Sequence, residues 1–129
     1  MVASLRKRLA HDEGGFTLIE LLVVLVIIGI LLAIAVPSYL GFKDRANQRA
    51  AQSNVRAAIP SAEAYYADTG TYASMDNTAL KTIDSGLSST LTVQGAGASS
   101  YCLQDTVGGK HAHASGPGGK ATQKWCNNT

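Results

Sequence analysis

Phe16 to Val36 reads FTLIELLVVLVIIGILLAIAV, an apolar run of twenty-one residues interrupted only by Thr17, Glu20 and Gly29. At about 1.5 Å per residue, a helix of that length covers a hydrocarbon core roughly 30 Å thick. The rest of the 129-residue chain is polar by comparison, and charged residues are 16% of the whole, below the roughly 25% usual in soluble domains. Two readings of the run follow. It is a single-pass anchor, or it is a secretory signal behind the basic leader Arg6-Lys7-Arg8, with Ala33-Ile34-Ala35 as a small-residue cleavage pattern. Secretory apolar segments usually run about 7–15 residues, which favours the anchor.

Glu20 fits neither reading well. A carboxylate at mid-membrane costs about 2.5–3.5 kcal/mol on insertion scales, less near a helix end, so it marks a functional position whose partner has to be found. The span itself holds no Lys, Arg or His, and Arg8 lies 12 residues upstream. A new positive charge made by cutting the chain is the alternative, since a freed α-amino group on Phe16 is largely protonated at neutral pH.

The segment Gly14-Gly15-Phe16-Thr17-Leu18-Ile19-Glu20-Leu21-Leu22, with Gly29 and Pro37 beyond it, closely resembles the class III signal of type IV pilins and related pseudopilins. The resemblance covers residues 1 to about 60. It implies that a membrane prepilin peptidase cuts between Gly15 and Phe16 and methylates the amine of Phe16. The mature chain would then be Phe16 to Thr129, with eight basic and seven acidic side chains. The same resemblance implies that Glu20 meets the N-terminal amine of a neighbouring subunit in a helical filament. Phe16 and Glu20 are four apart, hence on one helix face. Pairing a buried carboxylate across subunits would select an axial register more than add net stability, because desolvation offsets most of the attraction. Packed apolar surface would supply the cohesion.

Downstream, Pro37 should kink a helix without ending it. Ala51, Val55, Ala58, Ile59, Ala62 and Tyr66 recur at three- and four-residue steps, a stripe that would face a sheet, with Gln48, Arg49, Gln52, Arg56 and Glu63 as polar companions. Pro60 reads as a second kink or a local break. Gly70 is the stop signal. Helix is therefore expected from about Phe16 to Asp68, far beyond the usual 11–12 residues or so. A connecting loop with a short helical turn around Thr78 to Ile83 follows, then strands at Ser89–Val93, Ser100–Val107 and Lys110–Ser115, and a terminal segment Ala121–Trp125 that returns Cys126 towards Cys102. The fold class is α+β. The resemblance sharpens it to a type IV pilin fold, a long kinked N-terminal helix, first half transmembrane, packed on a small antiparallel sheet. The expected divisions are a cleaved leader (1–15), a transmembrane assembly half (16–36), an amphipathic half (37–69) and a C-terminal β domain (70–129).

Charge does not decide orientation, because Arg6, Lys7 and Arg8 upstream balance Lys43, Arg45 and Arg49 downstream. Cys102 and Cys126 are the only cysteines, an even pair that suits an oxidising compartment and hence an N-in, C-out chain; two reduced, buried thiols are the alternative. His111 and His113 would project to one side of a strand, but no third or fourth metal ligand is evident nearby, so solvated histidines and no metal are expected. Lys110, Lys120, Lys124 and Trp125 form a basic, aromatic patch read as a solvated face and not as a specific nucleic-acid site. Tyr39, Tyr65, Tyr66 and Tyr72 are expected in core or subunit contacts. No nucleophile elbow, HExxH, phosphate loop or paired carboxylates are present, so no enzyme and no cofactor are expected.

Three functions compete. The first is a structural subunit of a type IV pilus, inserted in the cytoplasmic membrane and then assembled by pilus machinery for adhesion, motility or DNA uptake. The second is a pseudopilin of a type II secretion system; the acidic calcium-binding loop typical of the major one has no clear counterpart, as Asp84 and Asp105 are isolated. The third is a secreted binding domain released after Ala35.

Overall fold

A computed structural model describes residues 15–126. Two helices and three strands follow one another: α1 (Leu18–Thr69), α2 (Asn77–Ile83), β1 (Thr92–Gln94), β2 (Tyr101–Val107) and β3 (Lys110–Gly116). The described residues fall into two units, one ending at Tyr39 and the other beginning at Leu40, three residues beyond the division expected from the sequence. The basic leader, including Arg6, Lys7, Arg8 and Gly14, lies outside the described residues.

In the first unit α1 is apolar on every side, and no residue of its candidate membrane span is buried. Its 16 large apolar side chains from Phe16 to Val36 are 46–83% exposed. In the second unit the same helix becomes one-sided. Ala51, Val55, Ala58 and Ala62, at steps of four, three and four, are fully buried. They pack in one cluster with Leu80, Leu87, Leu91, Tyr101, Leu103, Ala112 and Ala114. The stripe expected from the sequence is therefore the core face, except that Tyr66 stays at the rim and Ser61 is buried beside it. Three of the four stripe residues are alanines, so little side chain separates helix from sheet.

α1 runs unbroken through both prolines. Of the two readings of Pro60, a kink or a local break, the break is therefore set aside. Pro60 removes one backbone donor, but Ala58, Ser61 and Ala62 on either side are buried and hold the flanking turns in place. Gly70 ends the helix at φ +75°, its N–H donating to the Tyr66 carbonyl at 2.7 Å.

The sheet is antiparallel in the order β1-β2-β3. Gly108 and Gly109, both at positive φ, make the two-residue turn between β2 and β3. A Cβ on Gly108 would also collide with the Asn47 amide, so the turn lies directly against α1. β1 begins later than the expected Ser89. The Ser88 and Thr90 hydroxyls bond each other at 2.7 Å and Thr90 N–H donates to Ser88 Oγ at 3.2 Å, which holds this segment as a turn. α2 is capped by Asp76, whose carboxylate accepts from Ala79 N–H at 2.7 Å.

β2 is buried on both faces from Tyr101 to Asp105. Tyr101 and Leu103 alternate towards the helical core, while Cys102 and Gln104 meet the C-terminal segment. That segment is fastened by a two-bond bridge between His113 and Thr122 and by a disulfide joining Cys102 to Cys126, Cα atoms 5.8 Å apart. The thiol alternative is therefore set aside.

Candidate functional site

The first unit presents two features that nothing else among the described residues uses up. One is the fully exposed apolar surface already described. The other is the helix start. Gly15, Phe16 and Thr17 precede the first helical residue, are exposed, and Gly15 has open space around it. The Gly15–Phe16 bond thus sits in non-helical, accessible backbone.

Glu20 is folded back over that start. Thr17 N–H donates to Glu20 Oε2 at 3.0 Å, and Glu20 N–H donates to Thr17 Oγ1 at 3.4 Å. This is a capping box, in which a Thr and a Glu three residues on satisfy each other's otherwise orphaned backbone donors. With Gly15 attached the nitrogen of Phe16 is an amide, and the carboxylate finds its partner one residue further on. The sequence carried the signal, a Thr-x-x-Glu preceding an apolar run, although the spacing of Phe16 and Glu20 drew attention away from it. One carboxylate oxygen is engaged by the cap, and among the described residues the other has no partner.

In the second unit the polar side chains fasten the helix to the sheet. Glu63 accepts from two phenols, Tyr72 O–H at 3.0 Å and Tyr101 O–H at 2.9 Å. The Tyr66, Tyr72 and Tyr101 rings stack in sequence with centroids 4.5 and 4.6 Å apart. Gly116 makes room for this arrangement, since a Cβ there would run into the Tyr101 ring. Burial first, and the Glu63 carboxylate second, push both phenols above their ordinary range. Asn54 Nδ2 donates to Asp105 Oδ2 at 2.6 Å, Gln48 Nε2 to the His111 carbonyl at 2.8 Å, and Lys110 pairs with Asp44 at 3.2 Å. Tyr72 is therefore a core residue, while Tyr39 is 63% exposed.

The histidine expectation needs correction. His113 is 6% exposed, and its Nδ1–H donates to the Lys124 carbonyl at 2.6 Å. His111 stacks on Trp125 at 4.1 Å. Neither ring is simply solvated, because the disulfide-tethered C-terminal segment folds over that face of β3. Among the described residues no group of three or more His, Cys, Asp or Glu could hold a metal ion. Asp105, isolated in the sequence, is 1% exposed, which no pattern in the chain foretells.

Residues 11–36 match the family described as the prokaryotic N-terminal methylation motif. The chain is 39% identical over 98 residues to the type IV wide pilus major component PilA4 of Thermus thermophilus, covering 72% of each. It is 40% identical over 63 residues to the type IV major pilin protein PilA of Myxococcus xanthus, 49% of this chain and 29% of that one. It is also 37% identical over 82 residues to the type II secretion system core protein G of Vibrio cholerae, 64% of this chain and 51% of that one. It thus spans from under a third to nearly three quarters of these relatives. No solved structure matches it. All three relatives are named for a pilus or a secretion apparatus, and none for a reaction.

Proposed function

The chain belongs to the type IV pilin and type II secretion pseudopilin family, and from that premise we propose that it is the structural subunit of a type IV pilus. A prepilin peptidase cuts between Gly15 and Phe16 and methylates the new amine. The apolar half of α1 holds the chain in the cytoplasmic membrane, N-terminus inside, until pilus machinery moves it into a helical filament outside the cell. The observation that carries this reading is the conjunction of an exposed apolar helix with a carboxylate at its start that, among the described residues, is engaged through one oxygen only. In the membrane, lipid covers that surface and the cap from Thr17 lowers the cost of Glu20. In a filament, the same surface of other copies replaces the lipid, and the second oxygen of Glu20 receives the amine of a neighbour's Phe16. Phe16 and Glu20 are thus the assembly residues, and the Cys102–Cys126 disulfide stands on the outward side of the membrane.

The pilus is preferred to the secretion filament for two reasons. The match to a pilus component covers 72% of both chains, against 64% and 51% for the secretion protein. Asp84 accepts from Gly86 N–H at 2.9 Å, whereas the buried Asp105 accepts from Asn54 and Ser88, so the two acids are engaged apart and do not form one acidic loop. Intact mass of the chain from sheared surface filaments tests the reading. A methylated Phe16 start is expected. A Val36 start would indicate a secreted domain, and a Phe16 start in cells that lack filaments but lose secreted cargo on deletion would indicate the pseudopilin.

A further inference from the structure

The cut proposed above removes Arg6, Lys7 and Arg8, every Lys and Arg on the N-terminal side of the apolar run. What remains near the span is a cluster on its far side: Lys43, Arg45 and Arg49, within thirteen residues of Val36. These charges need an account, because Lys and Arg are ordinarily concentrated on the inner side of a membrane. Phe42, Arg45, Ala46 and Arg49 lie at i, i+3, i+4 and i+7, on one face of α1. That face is turned away from Ala51, Val55 and Ala58, which are buried, and its four residues line a shallow cleft among the described residues. Phe42 is 68% exposed there. Arg45 is folded back one turn towards the apolar run, Nε–H donating to the Gly41 carbonyl at 3.2 Å.

The carboxylates of this chain are mostly engaged within it, which favours an anion from outside the chain as the partner of these cations. Six of the seven carboxylates after Gly15 engage a group of their own chain: Glu20 through one oxygen only, Asp44 with Lys110, Glu63 with two phenols, and Asp76, Asp84 and Asp105 with hydrogen-bond donors. Asp68 is the seventh. Asp44, the acid nearest the cluster in sequence, is itself paired with Lys110, and among the described residues Lys43, Arg45 and Arg49 make no ion pair.

We propose that this face of α1 binds the anionic phosphate headgroups of the outer leaflet of the membrane that holds the apolar run. Arg45 and Arg49 take the phosphates, Lys43 flanks them, and Phe42 enters the interface as an aromatic anchor. The inference rests on the membrane insertion proposed above. It adds that a subunit entering the filament must release acidic lipid, so this basic face sets both the depth of the waiting subunit and the ease of its extraction.

Native mass spectrometry of the full chain in detergent, titrated with phosphatidylglycerol or phosphatidylcholine, tests this. Phosphatidylglycerol is expected to bind on the order of tenfold tighter or more. Arg45→Gln with Arg49→Gln should abolish the preference. Lys120→Gln with Lys124→Gln removes equal charge elsewhere and should leave it intact. Equal binding of the two lipids, or equal loss in both variants, overturns the proposal. So does an unchanged lipid preference in the arginine variant together with lost filaments, which would assign the face to a neighbouring copy. Fractionation of cells expressing the full chain separates the two readings. A chain absent from membranes overturns the insertion reading and this proposal with it, whereas a membrane-held chain without lipid preference overturns this proposal alone.

Discussion

Two stretches of one helix, Leu18–Val36 and Ala51–Ala62, are both rich in apolar residues and meet opposite fates. The second carries small side chains at steps of three and four, with Gln52, Arg56 and their like between them, and buries that stripe completely against a sheet of its own chain. The first is apolar all round, carries Leu, Ile and Val in place of Ala, and buries nothing. A stripe specifies one partner surface, whereas a helix apolar on all sides has to be surrounded. The difference lies in how the apolar residues are distributed, and it separates a helix that completes a domain from one that waits for lipid or for other copies.

The sharpest way to break that contrast is to shorten one leucine in each region. Leu103→Ala, in the core against the stripe, should cost about 3–5 kcal/mol in denaturant unfolding of the full chain in detergent. Leu31→Ala, in the exposed half, should cost under about 0.5 kcal/mol in the same assay and lower filament yield instead. Equal losses would mean that the two halves are not energetically distinct. Next in size is the staple. Replacing Cys102 and Cys126 together by serine should cost about 3 kcal/mol, through a denatured chain no longer closed across 24 residues. The loss should appear in the second unit's tertiary circular dichroism and leave the apolar helix signal unchanged.

A smaller effect is expected at the phenol clamp. Tyr101→Phe removes one donor to Glu63 and should cost about 1 kcal/mol. It also carries a pH signature. Because the fold favours neutral Tyr72 and Tyr101, their contribution is complete below about pH 10, the ordinary range of a phenol, and is lost as pH climbs through the raised values. Wild-type melting temperature should fall across that alkaline range more steeply than that of the Tyr101→Phe variant; parallel curves would contradict the assignment. The smallest effect belongs to the helix start. Thr17→Ala should cost about 0.5–1 kcal/mol of local helix stability, seen as faster amide exchange in the first turn around Leu21.

Much of this was legible beforehand because it rests on periodicity. The uniform run from Phe16, the stripe from Ala51 and the stop at Gly70 each express a local rule. What escaped depends on who meets whom across the chain. Glu63 reads as a solvated companion until Tyr72 and Tyr101 converge on it from 9 and 38 residues away. Asp105 looks isolated until Asn54 arrives from 51 residues upstream. His113 reads as a strand histidine on an open face until the disulfide draws the C-terminal segment over it. β1 began late because Ser88 and Thr90 satisfied each other locally. The cap at Thr17 is the exception, a local signal overlooked beside a more conspicuous one.

Whether copies of this chain enclose one another's apolar helices can be read from a single cross-link. Leu31→Cys places a lone thiol in the exposed half, the native cysteines being bridged to each other. Treated with a short bismaleimide, purified filaments of that chain should give covalent dimers, and membranes from cells blocked in assembly should give monomer. Filaments that contain the chain yet yield only monomer would contradict the account.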